Sequence, residues 1–158
     1  MKCALVLVAS SVALFGCSSS TPSDAANDTA TSDAGLPELG EMFVAQRDCG
    51  SCHNPLDANL GLLSGNTEPV VHGTEVYAAN LTPDIETGIG SWTDDDIARA
   101  IREGFAPGVV PLCPEMSHYS RMGDYEARAI IAYLRQIPAI SRAIPASVCP
   151  PIKPTTQP

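Results

Sequence analysis

Residues 49–53 read Cys-Gly-Ser-Cys-His. Two thiols at this spacing can add to the two vinyl groups of one porphyrin, and a histidine directly after the second thiol is then held against the iron as its proximal ligand. The pentapeptide therefore reads as an attachment site for one haem c, with Cys49 and Cys52 forming thioethers and His53 binding the metal. Two other chemistries use a Cys-x-x-Cys pair. A redox dithiol does not need the histidine. A structural zinc site needs a second ligand pair, and the sequence has neither another Cys-x-x-Cys nor a His-x-x-x-His.

A six-coordinate iron needs a ligand from the opposite face, and the candidates are Met42, Met116, Met122, His72 and His118. Met42 lies in the segment leading into the haem motif and is expected to pack in the core. Met122 stands at the mouth of the last helix, where a long apolar side chain packs. Met116 sits in Pro111-Leu112-Cys113-Pro114-Glu115-Met116, a proline-stiffened loop whose thioether can reach over a porphyrin. Met116 is the expected ligand, with His118 its rival. The choice matters because a methionine partner raises the reduction potential.

Three helices must position these groups. Pro37 to Asp48 reads as the first, because Pro37 suits a helix start and Leu39, Met42 and Phe43 share a face. It runs directly into the haem motif. Thr93 opens the second: Thr93 with Asp96 approximates a capping box, and three aspartates favour the positive helix end. Ile97, Ala100, Ile101 and Phe105 then line one face, with Gly104 as the stop. The last runs from Asp124 to Gln136, carries Ala127, Ile130, Ile131 and Leu134 at helical spacing, and is closed by Pro138. Residues 54–91 show no sustained period and read as a long loop with a short helical turn. A loop of that length needs something to wrap around, which a porphyrin supplies. The expected class is all-α, three main helices and long loops around one covalent haem.

The ends differ in character from this domain (residues 37–149). Residues 1–16 hold one charge, Lys2, and an apolar run from Ala4 to Phe15, the layout of a signal peptide too short to span a membrane. The run closes in Leu14-Phe15-Gly16-Cys17, which resembles a bacterial lipobox and implies lipidation of Cys17. Residues 17–36 are rich in Ser, Thr, Ala and Asp and cannot bury enough surface to offset their conformational entropy, so they read as a flexible tether. Such a tether reaches on the order of 25 Å. The Pro-rich end, 150–158, reads as an extended tail. With Cys3 removed with the signal, Cys17 lipidated, and Cys49 and Cys52 on haem, Cys113 and Cys149 remain, and outside the cytoplasm they are expected to pair. The formal charge of −9 argues against nucleic-acid binding and admits a basic protein partner as readily as simple solubility.

Several strings together resemble a known family. Cys49-Gly-Ser-Cys-His53, Tyr77-Ala-Ala-Asn-Leu-Thr-Pro-Asp84, Glu86-Thr-Gly-Ile-Gly-Ser-Trp92-Thr93, Pro114-Glu-Met116 and Ile131-Ala-Tyr-Leu134-Arg occur in order along the domain. They are similar to class I cytochrome c domains, and more closely to the haem domains of cytochrome subunits that serve quinoprotein and related dehydrogenases. The resemblance implies that Gly40 and Phe43 cross Ile130 and Tyr133, and that Asn80, Thr82 and Trp92 lie near the haem propionates or line the haem crevice. Trp92 has an independent rationale, since a buried indole N–H needs an acceptor. Core packing for Trp92, and a turn held by side-chain caps for 80–84, are the alternatives. Those subunits usually carry several haem motifs, and this chain has one.

The expected function is that of an electron carrier, not an enzyme: a lipid-anchored, periplasm-facing, monomeric monohaem cytochrome c passing electrons between redox proteins, a donor dehydrogenase and a terminal acceptor. The alternatives are a haem subunit of a larger dehydrogenase complex and a haem sensor or peroxidase with an open iron.

Overall fold

A computed structural model describes residues 35–151. The expected signal peptide, Cys17, most of the tether and the tail beyond Pro151 lie outside the described residues. The architecture is mostly helical. Helix α1 spans Leu36–Gln46, a one-turn α2 spans Gly50–His53, a 3-10 turn covers Ala58–Leu60, α3 spans Asp94–Glu103 and α4 spans Asp124–Gln136. Two-residue strands β1 (Phe105–Ala106) and β2 (Val110–Pro111) pair antiparallel.

Helices α1 and α4 cross, and Gly40 sets how closely. A Cβ on Gly40 would run into the Ala129 carbonyl and lie 2.7 Å from the Tyr133 Cβ. The contact is thus backbone on backbone, as a glycine at a helix crossing permits. The buried face of α1 follows from it: Leu36, Gly40 and Val44 recur every four residues and stack on one side. This corrects two expectations. Leu36 belongs to the folded domain and not to the tether, and Met42, about half a turn from Gly40, is 43% exposed instead of packing in the core.

Helix α3 begins as its sequence dictates. The Thr93 hydroxyl accepts from the Asp96 amide at 3.1 Å, and the Asp96 carboxylate accepts from the Thr93 amide at 3.2 Å, completing a capping box. Gly104 ends it in the left-handed region, at φ 76°. The chain turns there, so Phe105 leaves the helical face and starts β1. Helix α4 buries Ala127, Ala129, Ile130, Ile131 and Leu134. Val44, Ile97, Met122, Ile130 and Leu134 belong to one core cluster, joined by Leu63 and Ile89 from the long loop.

After α4 the chain runs without regular structure from Ile137 to Pro151, yet it is closely attached. The Ile140 amide donates to Thr82 Oγ1 (3.1 Å), the Arg142 amide to Thr87 Oγ1 (2.8 Å), and the Val148 amide to the Glu75 carbonyl (2.8 Å). Cys149 then forms a disulfide with Cys113. Residues 140–149 act as a strap across the long loop.

Candidate functional site

His53 ends the single turn of α2, and its orientation is fixed from outside that turn. The ring is buried, and Nδ1 lies 2.7 Å from the Ala79 carbonyl oxygen. A carbonyl can only accept, so Nδ1 carries the proton and Nε2 keeps its lone pair. Burial lowers the imidazole pKa, with the Ala79 bond acting in the other direction, so the ring is held neutral. The His53 carbonyl in turn accepts from the Gly65 amide at 2.9 Å. Cys49 and Cys52 are both free thiols, and burial holds the Cys49 thiol above its ordinary value.

These groups share a wall of one cavity of about 490 Å3, within the range of about 300–1,000 Å3 typical of cofactor sites. Val44, Leu81, Ile89, Ile97, Ile101, Ile130 and Leu134 make the lining largely apolar. Cys49, Cys52, His53, Trp92 and Met116 all face this space, as do Met122, Tyr119 and Glu115. One Glu115 carboxylate oxygen is buried without a hydrogen-bond partner.

Of the other ligand candidates, Met42, His72 and His118 do not line the cavity. His72 and His118 are exposed, and the His118 ring lies against the backbone of Gly104, away from the cavity. Met122 lines the cavity but is also locked into the core at 7% exposure. Met116 is half-buried in an irregular loop, in a turn closed by its own amide donating to the Cys113 carbonyl at 3.0 Å.

Asn80 and Thr82 are not among the residues lining the cavity. Both are fully buried. Asn80 Nδ2 donates to the Ile140 carbonyl (2.7 Å) and to Thr87 Oγ1 (3.1 Å), while its Oδ1 accepts from the Thr82 amide (2.9 Å) and hydroxyl (2.7 Å). Their polar atoms are used up in tying residues 80–87 to the strap. They position Ala79, and hence His53, without touching the cavity.

Several contributors carried no sequence signal. Arg135 donates to the carbonyls of Trp92 (2.6 Å) and Ile89 (3.1 Å) and pairs with Asp94 at 2.8 Å, holding the Trp92 segment against α4. Arg47 makes a two-pronged pair with Glu126 at 2.7 and 3.0 Å, stacks over the Tyr119 ring, and offers its carbonyl to the Tyr119 hydroxyl at 3.0 Å. That cluster joins the end of α1 to α4 and to the loop bearing Met116. Each contact spans more than 40 residues of chain, so no local pattern announces it.

No protein-family model matches the chain. Curated relatives do. A nicotinate dehydrogenase subunit of Pseudomonas putida is 35% identical over 118 residues, which is 72% of this chain and 10% of that protein. The gluconate 2-dehydrogenase cytochrome c subunit of Pantoea cypripedii is 33% identical over 112 residues, 70% of this chain and 24% of that protein. A diheme cytochrome c-type protein of Cereibacter sphaeroides is 34% identical over 102 residues, 58% of this chain and 32% of that protein. The match thus spans a third or less of each relative. The chain carries a domain similar to the cytochrome c subunits of dehydrogenases.

Proposed function

We propose that this chain is a monohaem cytochrome c that carries single electrons between redox proteins, with the haem joined to Cys49 and Cys52 and its iron held by His53 and Met116. The observation that carries the reading is the shared cavity: two free thiols, an imidazole with its Nδ1 occupied, and a thioether line one apolar space. This donor set suits an iron porphyrin. The thiols match its vinyl groups, the free Nε2 and the sulfur are ligands of the required type, and the aliphatic lining accepts a large apolar ring. The bound haem supplies one-electron exchange at iron. The chain's own residues do the rest. The Ala79 carbonyl fixes the imidazole tautomer and makes it a better donor. Trp92, Leu81 and Ile97 exclude water and so set the local dielectric. With His53 and Met116 both holding the iron, no coordination site would remain for a substrate, which favours a carrier over a sensor or peroxidase.

In the same reading residues 1–16 direct export, Cys17 is lipidated and 17–36 tether a monomeric domain facing the periplasm. A stable lipid anchor requires more than one chain on Cys17, since each buried methylene contributes about 0.8 kcal/mol and a single chain binds reversibly. Similarity to dehydrogenase cytochrome subunits supports a second reading, a haem subunit within a larger complex. Co-purification with a large redox enzyme at fixed stoichiometry would favour it.

The test is expression in a host with competent cytochrome c maturation, followed by intact-mass analysis and optical spectroscopy. The expected product is one covalent haem, low-spin in both oxidation states, with acyl mass on Cys17. A Cys49→Ser/Cys52→Ser variant should retain no haem after denaturation. A colourless mature chain would overturn the reading, and a high-spin ferric spectrum would remove Met116 as a ligand.

A further inference from the structure

In the loop that carries Met116, the anchoring backbone hydrogen bonds lie at the two ends. At one end the Leu112 amide donates to the Gly104 carbonyl at 2.8 Å, and at the other the Tyr119 amide donates to the Ile101 carbonyl at 2.9 Å. Between these anchors, among the described residues, the backbone hydrogen bond is internal: Met116 to Cys113. Glu115 leaves a buried oxygen unpartnered, and Ser117 and His118 are exposed. The covalent tie of residues 113–118 to another element is the disulfide from Cys113 to Cys149.

The other end of that tie is firm. Cys149 follows Val148, whose amide bonds to Glu75, and Ser147, whose hydroxyl accepts from the Tyr77 amide at 2.9 Å and donates to the Tyr77 carbonyl at 3.2 Å. Further back the strap is fastened at Ile140 to Asn80 and Thr82, and the Ile144 side chain covers Gly65. Gly65 and Ala79 are the residues whose backbone groups hold His53. One strap is therefore bonded both to the segment that holds His53 and, through Cys149, to the segment that carries Met116. It braces the histidine side through hydrogen bonds and the methionine side through one covalent bond, with Ser147 and Cys149 themselves on the cavity wall.

We infer that Cys113 and Cys149 are positioning residues for Met116, so that the disulfide fixes the sixth ligand and its opening makes that ligand exchangeable. The inference rests on Met116 as the ligand. Opening requires a dithiol reductant: the sulfur–sulfur bond takes up two electrons and two protons to give two thiols, while the dithiol becomes a disulfide. Among the described residues, 113–118 then keep no long-range backbone hydrogen bond or covalent link to another element. The thioether returns to iron from a broader ensemble, and its effective concentration falls.

The test compares the ferric holoprotein with three altered forms: Cys113→Ser/Cys149→Ser, Met116→Ala, and wild type reduced and alkylated at the disulfide and then reoxidised at iron. The last keeps the experiment informative should the double variant not mature. The readouts are the near-infrared methionine-to-iron charge-transfer band, the reduction potential and the affinity for imidazole. Wild type should show the band and bind imidazole weakly. Opening the disulfide should diminish the band, lower the potential, and raise imidazole affinity about tenfold or more, because the added ligand no longer competes with a sulfur held in place. A melting temperature that falls while band, potential and imidazole affinity stay at wild-type values would overturn the inference and leave the disulfide a purely structural link. A Met116→Ala protein that keeps the band would instead overturn the ligand assignment, and this inference with it.

Discussion

Gly40→Ala tests the helix crossing on which the site is built. In an unhindered helix this change stabilises by about 1 kcal/mol, since alanine has the higher propensity. Here the new methyl would meet the Ala129 carbonyl and sit 2.7 Å from both the Ala129 carbonyl carbon and the Tyr133 Cβ, where ordinary contact begins at 3.4 Å. Neither neighbour can swing aside, because one is backbone and the other a Cβ. The helices must separate, and overpacking of this kind costs about 1–3 kcal/mol, with a backbone obstacle toward the upper end. The net loss is about 1–2 kcal/mol. For a domain of this size that lowers the melting temperature by about 5–10 °C. The assay is thermal unfolding of the holoprotein followed by far-ultraviolet circular dichroism, with Ala45→Gly on the exposed face of α1 as calibration. That control loses propensity alone, about 1 kcal/mol. A Gly40→Ala protein that melts at or above the wild-type temperature would show that α1 and α4 do not meet through backbone at this point.

Asn80→Ala should lower stability by about 2–4 kcal/mol, because the buried Thr82 amide and the Ile140 carbonyl lose a partner. Hydrogen exchange at Ile140 and Arg142 should quicken, and an unchanged melting temperature would refute the buried network. Met122→Leu conserves volume and should cost less than about 1.5 kcal/mol while leaving the optical spectrum and the charge-transfer band intact; loss of that band would transfer the sixth-ligand role from Met116 to Met122. Acid stability should depend on Asp84 and Asp96, whose folded values lie below 3.8 chiefly through hydrogen bonds from the Thr87 and Thr93 side chains. A depressed carboxylate stabilises the fold above its unfolded value and loses that contribution as pH falls through the folded one. The melting temperature should therefore fall as pH drops below 3.8, and Asp84→Asn/Asp96→Asn should flatten that limb; an identical acid profile in the variant would count against both hydrogen-bonded turns.

The parts legible in the sequence are those governed by neighbours within a turn or two. Thr93 with Asp96, Gly104 and Pro138 bound helices through local backbone chemistry, and the limits of α3 and α4 follow from them. The grouping of Cys49, Cys52 and His53 is legible for the same reason, since all three lie at or within the single turn of α2. What escaped depends on where distant segments meet. Met42 has the composition of a core residue, and only the placement of Gly40 against α4 turns it outward. The capped turn at residues 80–84 is one of two readings that the sequence leaves open, and its fastening to Ile140, some 60 positions later, is what no local pattern announces.

The same distinction bears on how the cavity is held. Its histidine side is specified almost entirely by hydrogen bonds that cannot be lost without orphaning buried groups, each costing about 1–3 kcal/mol. The segment with Met116 has a flexible type of side chain between backbone anchors at Leu112 and Tyr119, with one pair of cysteines tying residues 113–118 to another element. With the proposed haem bound, a site braced so unequally would exchange its ligand first where Met116 supplies it. Any variation in potential or ligand binding in this chain should therefore trace to residues 112–119 and to Cys149 before it traces to anything around His53.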